Sequence, residues 1–352
     1  MLGVDPRAFR IIWTIFLFAL LLGTVYAIRN TLLLFAVSIF FAYMLAPLVD
    51  LVEHITQKHR GTALAIVYVV LVAALVALSI TLGSRIVDQA SSLFSKLPDL
   101  VEHDRLQSIP LPSWLEPLRQ RIVIALQTEA ATLQQSIVPL LQRSAGHILS
   151  GISVIVPIVL VPVFSFFLLK DARDIRVALL EGFEGREERS LLSRVLVDVD
   201  LVLSKYIRAL LILSLFSFGA WAIFLYATQA PYQLLLAGIS GILEFIPLIG
   251  PLTSLVVVLV VCAISGHTGL LWIVVFWAAL RLFQDYVLNP LLMSAGIELH
   301  PLLVLFGVLA GEQIGGIPGM FFSVPAIAIL KVLFIRLRES HMRKTLSPKA
   351  LA

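Results

Sequence analysis

Gly241-Ile-Leu-Glu-Phe-Ile-Pro-Leu-Ile-Gly-Pro251 interrupts Tyr232–Ile264, a run otherwise apolar enough to cross a bilayer. It carries an acid, Glu244, and then Pro247, Gly250 and Pro251. A proline in a helix interior removes one backbone donor and clashes with the preceding turn, so a straight helix cannot pass through. A break at membrane depth frees N–H and C=O groups, which are tolerated only inside protein or along a watery cavity. The stretch therefore predicts an all-α, polytopic membrane bundle with broken or re-entrant helices in its C-terminal half.

Composition agrees. Of 352 residues, 59% are hydrophobic and 14% charged, and the mean hydropathy is +0.99. Soluble domains are typically ~45–50% apolar and ~25% charged. Length alone would allow two soluble domains, but so few charges cannot cover a water-facing surface. The excess of Leu, Ile, Val and Phe excludes a disordered chain. A single cysteine, Cys262 in an apolar run, excludes a disulfide framework and a cysteine metal cluster. The net charge of +4 and pI near 9.3 could suggest a nucleic-acid partner. The basic residues instead flank apolar segments, where they act as orientation signals, and no nucleic acid is expected.

Working outward, about seven or eight spans are expected. Residues 1–83 hold three: Ile11–Ile28, Thr31–Val52 and Thr62–Gly83. The first imitates a signal peptide, with Val25-Tyr26-Ala27 as a faint cleavage site, but its apolar core is long and another span follows. Residues 84–147 differ, with balanced charges, five prolines and apolar residues at helical spacing. They are expected to form amphipathic helices on the membrane face of the protein. Residues 148–206 comprise a fourth span, Ile148–Leu169, and a polar helical connector. A C-terminal core, 207–336, and a basic tail, 337–352, complete the chain. Lys/Arg-rich flanks place both termini on the cytoplasmic side of a multi-pass membrane protein. Alternation then puts 84–147 outside, although long loops obey the rule weakly.

Ionisable side chains are costly within a bilayer and mark functional candidates. The first four spans contain almost none, whereas the C-terminal third has Glu244, Arg281, Gln284, Asp285, Asn289, Glu312 and Gln313. Arg281 and Asp285, four apart, share a helical face and can pair; Gln284 and Asn289 lie near that face, and Pro290 follows. A self-neutralising structural pair would explain them equally well. Glu312 sits in Gly311-Glu-Gln-Ile-Gly-Gly-Ile-Pro-Gly319, which includes Gly316. Like the Glu244 stretch, it places an acid before Ile-Pro and glycine. Paired Gly/Pro-interrupted segments point to a transporter binding site; hinged helices with interfacial acids are the plainer alternative.

Other chemistry is thinly represented. His54 and His59 do not share a helical face, so no metal is expected. Phosphate-binding loops and nucleophile–base sets are absent, so neither cofactor nor enzymatic activity is expected, and ATP-driven transport by this chain is excluded.

The stretch Phe283-Gln-Asp-Tyr-Val-Leu-Asn-Pro-Leu-Leu-Met293, then Leu299-His-Pro-Leu302, then Gly311 through Gly319 to Val324-Pro-Ala326, resembles the AI-2E family of transporters. Glu244-Phe-Ile-Pro-Leu-Ile-Gly-Pro251 and Phe166-Phe-Leu-Leu-Lys-Asp171 resemble two further hallmarks. The resemblance implies a bacterial inner-membrane transporter, homo-oligomeric, exporting autoinducer-2 or exchanging sodium and protons. The matching positions are Glu244, Pro247, Gly250, Pro251, Asp285, Pro290, His300, Pro301, Gly311, Gly316 and Gly319. Glu312 departs from the pattern, where a small residue is usual, and so do Ala209-Leu210, where Gly-Gln is frequent.

Three functions follow as expectations. The first is a secondary transporter of a small polar solute, its partners being the bilayer and that solute. The second is a monovalent cation/proton antiporter using Glu244, Asp285 or Glu312, with Arg281 tuning the carboxylate. The third is a scaffold whose broken segments form oligomer contacts.

Overall fold

A computed structural model describes residues 6–57, 59–102, 152–293 and 299–346, and among them every regular element is helical. Helix α1 is Pro6–Ala27, α2 Arg29–Thr56 and α3 Arg60–Leu78. Through a π-helical turn, Ser79–Gly83, α3 runs directly into α4, Ser84–Glu102. Then come α5 (Ile152–Lys170), α6 (Ala172–Glu181), α7 (Arg186–Ala227), α8 (Gln233–Leu243) and α9 (Ile249–Ile264). Helix α10, Leu270–Phe283, continues through a second π-helical segment, Gln284–Leu288, into α11, Asn289–Met293. The last element, α12, is Pro301–Leu346.

Among the described residues six helices are long and apolar enough to cross a membrane, and Gln233–Leu243 and Ile249–Ile264 are shorter apolar ones. The all-α polytopic bundle is thus what the sequence predicts. Apolar side chains cover its outside, as lipid requires: every described side chain of α1 is exposed, as are Ile223, Leu271 and Phe306. Two apolar cores lie within. One gathers Leu45, Val49, Leu64 and Leu169 from α2, α3 and α5. The other gathers Trp221, Leu225, Leu236, Val258, Cys262 and Ile273 from α7 to α10. Polar contacts link elements around these cores: Arg60 Nε donates to the Leu169 carbonyl, Tyr43 to Asp200, and Arg336 Nε to Asp198 at 2.5 Å.

Three boundaries differ from the sequence reading. The helix of the third span does not end at Gly83, because Ser84–Glu102 extends it, while 103–147 lies outside the described residues. The polar connector and fifth span are not separate at 206/207, since α7 is one helix of 42 residues. At 1.5 Å per residue that is ~63 Å, about twice the hydrocarbon thickness. Hydropathy falls where α7 leaves the apolar layer, but the hydrogen-bond ladder does not stop there. Thirdly, the apolar run Leu270–Leu288 reads as one span, but the π-helical turn carries α10 past Leu288 and through Pro290 to Met293.

Element α12 reverses on itself. Gly315 (φ −143°, ψ 16°) and Gly316 (φ 60°, ψ −142°) leave helical geometry, the latter in the left-handed region that favours glycine. A Cβ on Gly319 would lie 1.9 Å from the Gly311 carbonyl oxygen, and one on Gly307 2.2 Å from Ile327 Cδ1. In a straight helix residues 311 and 319 would stand ~12 Å apart along the axis. Two arms, 301–314 and 317–346, therefore pack backbone to backbone as a hairpin. The first arm, ~21 Å long, is too short to cross a bilayer alone.

Candidate functional site

The break after α8 follows from its prolines. With no N–H on Pro247, the Leu243 carbonyl loses its helical partner and accepts instead from Ile246 N at 2.9 Å, tightening the last turn. Leu248 is then held at φ 66°, ψ −55°, and Ile249 N reaches the Pro247 carbonyl at 2.8 Å. This is the positive-φ γ-turn, a rare and strained conformation. Gly250 comes next because a Cβ there would meet the Leu243 carbonyl oxygen at 1.8 Å. Pro251 falls in the first turn of α9, where its missing N–H costs no helical bond.

This turn sets Glu244 inside the bundle, 9% exposed. Its Oε2 accepts from Ser217 Oγ of α7 at 2.9 Å, and its Oε1 accepts from Arg281 Nη1 of α10 at 3.3 Å. Gln284, 2% exposed, donates to Ser217 Oγ at 2.8 Å. Arg281 Nε also pairs with Asp285 at 3.1 Å, four residues on as the spacing predicts, and Asn289 donates to Asp285 at 3.1 Å. One polar chain therefore runs Gln284–Ser217–Glu244–Arg281–Asp285–Asn289 through three elements. A buried carboxylate is tolerable when paired and fully hydrogen-bonded, and both Glu244 oxygens have partners. Ser214 donates to the Gly241 carbonyl at 2.7 Å and ties α7 to α8 just above the break.

Beside this chain lies a cavity of about 450 Å³. Its wall takes Lys205, Tyr206, Leu210 and Leu213 from α7, Glu244, Pro247 and Leu248 from the break, Pro251 from α9, Arg281, and Asn289. Pro301 and Val304 of the first hairpin arm, and Val324, Pro325 and Ala328 of the second, close it. The size suits a small molecule. A ring cluster braces the same region: Phe40 of α2 stands 6.1 Å from Phe245 and 4.6 Å from Phe321, joining both broken elements to α2.

The sequence candidates thus separate. Glu244, Arg281, Gln284, Asp285 and Asn289 come together, Pro247 lines the cavity, and Gly250 makes the close approach beneath it. Pro290 is exposed on α11. Gly311 is the hairpin's inter-arm contact and Gly316 its turn. Glu312 and Gln313 are exposed on the first arm, and neither lines the cavity nor bonds to the Glu244 chain. Among the described residues no three of His, Cys, Asp and Glu converge on a metal-sized site. Ser217, Ser214 and Tyr206 were missed by the sequence reading. Their one signal is spacing, since 206, 210, 213, 214 and 217 fall on one face of α7.

The family model described as AI-2E family transporter matches residues 15–339. Among relatives, YueF of Bacillus subtilis (strain 168) is 23% identical over 342 residues, 90% of each chain. PerM of Escherichia coli (strain K12) is 24% identical over 323 residues, 85% of this chain and 89% of PerM. YrrI of Bacillus subtilis (strain 168) is 30% identical over 184 residues, so the match spans about half its length, 52%, and 51% of this chain. Their names class them with transport proteins and permeases.

Proposed function

The chain belongs to the AI-2E family of transporters, and from that premise we propose that it is a secondary transporter whose solute site is the cavity between α7, the Glu244 break and the α12 hairpin. It is a membrane transport protein; what is proposed is the site, the solute and the mode. The observation that carries the reading is the cavity itself, walled by both broken elements and by the Glu244–Arg281 pair. Broken helices at a binding site let the wall rearrange without unwinding whole spans. Lys205 and Arg208 are the last charges on α7 before its apolar half. The cavity therefore begins at the polar end of the bundle, which the basic flanks assign to the cytoplasm. A cavity on that side suits a solute loaded from the cytoplasm, as by an exporter of a bacterial inner membrane with both termini inside. A homo-oligomer suits the wholly exposed apolar α1.

A cation/proton antiporter is the second reading, favoured by a buried carboxylate on the cavity wall. Arg281 weighs against it, because a fixed guanidinium 3.3 Å from Glu244 occupies the place a cation would take.

The test is flux from proteoliposomes of the full chain, with autoinducer-2 and a panel of small organic anions, alcohols and amines as solutes, under imposed proton and sodium gradients. The transporter reading expects solute counterflow that Glu244→Gln abolishes in folded protein. Sodium-driven proton movement without solute flux would transfer the case to the antiporter. Absence of every flux in folded protein would leave the scaffold.

A further inference from the structure

The hydroxyl of Tyr206 is buried in the cavity wall with no hydrogen-bond partner among the described residues. Leaving a buried hydroxyl unpaired is costly, and phenylalanine would pack the same space without that cost. The other polar groups of the wall show what is missing. Both oxygens of Glu244 accept, from Ser217 and Arg281, and one N–H of the Asn289 amide goes to Asp285. What remains is chiefly donors: the Tyr206 hydroxyl, the Lys205 ammonium, and the guanidinium N–H groups of Arg281 beyond the two bonded to Glu244 and Asp285. In charge, Arg281 is already paired with both Glu244 and Asp285, whereas Lys205 of the wall forms no ion pair among the described residues. The remaining wall, Leu210, Leu213, Val304, Val324 and Ala328 among it, is apolar.

We propose that the cavity takes an organic monoanion with an apolar body, its carboxylate received by the Tyr206 hydroxyl and the Lys205 ammonium. This deepens the transporter reading and rests on it. A neutral polyol would leave Lys205 unneutralised and spread hydroxyls along apolar wall. An organic cation would meet the Lys205 ammonium as a like charge.

The experiment uses the full chain in nanodiscs and measures binding of radiolabelled phenylacetate. The competitors are 2-phenylethanol, phenethylamine and autoinducer-2. Phenylacetate is expected to bind at least tenfold more tightly than any of the three. Tyr206→Phe and Lys205→Gln should each weaken it about tenfold, the loss of one hydrogen bond to a charged group. Without ligand, Tyr206→Phe should melt no lower than wild type, which separates recognition from a structural role. Equal competition by the alcohol or the amine, no phenylacetate binding, or full affinity in Tyr206→Phe would each overturn the proposal. Val304→Trp, which fills the cavity, keeps the two claims distinct. If a competitor binds better and loses binding in Val304→Trp, the anion class falls while the cavity stands. If no probe responds to Val304→Trp, the cavity reading falls with it.

Discussion

At the residue scale, the Glu244–Arg281 pair decides how the membrane interior holds charge. Their side chains are 8% and 26% exposed, so removing one partner strands the other in low dielectric. Arg281→Met should destabilise the fold by about 3–5 kcal/mol. Adding Glu244→Gln should restore most of that, because the stranded charge is gone. Asp285→Asn should cost under ~1 kcal/mol, since Asp285 is 42% exposed and its pairing is screened. Denaturant unfolding of the detergent-solubilised variants measures all three, and an Arg281→Met cost matching that of Asp285→Asn would contradict the pairing. Much of this group was legible, because charges within apolar runs are rare and i, i+4 spacing shows which can meet. The Arg281–Asp285 contact was readable in that way. The Glu244–Arg281 contact was not, since 37 residues of chain separate the two and no local rule fixes that distance. Ser217 and Tyr206 were overlooked because a hydroxyl is cheap in an apolar span, where it can bond to its own helix.

At the element scale, the two interruptions do different work. The first, at Glu244–Leu248, is a strained turn that presents a carboxylate; the second, at Gly315–Gly316, reverses the chain. Prolines and glycines announced both. The reversal itself was hidden, because glycine permits a turn without stating its angle, and the decisive contact lies between Gly311 and Gly319. Gly319→Ala should therefore force the arms apart, at about 1–3 kcal/mol or more. Gly219→Ala on α7, where nothing lies within 4 Å of an added Cβ, should be neutral or slightly stabilising. Thermal unfolding followed by tryptophan fluorescence compares them, and equal melting temperatures would refute the hairpin contact. The continuity of α7 escaped the sequence reading for another reason. Hydropathy marks where a helix leaves lipid, not where it ends.

At the scale of the whole molecule, span order and bundle class follow from hydropathy alone, while the cavity depends on where six separate segments meet. The central claim is that this cavity holds water and solute inside an otherwise lipid-facing bundle. Val304 faces it from the first hairpin arm, and Phe306, two residues on, is 70% exposed on the apolar outside. The direct test introduces Val304→Cys and, separately, Phe306→Cys in a Cys262→Ala background, reconstituted in lipid. A membrane-impermeant thiol reagent is then applied, which reacts with cysteine only where water reaches it. The account predicts rapid modification at position 304 and almost none at 306. Unreactive cysteines at both positions, or preferential reaction at 306, would contradict it.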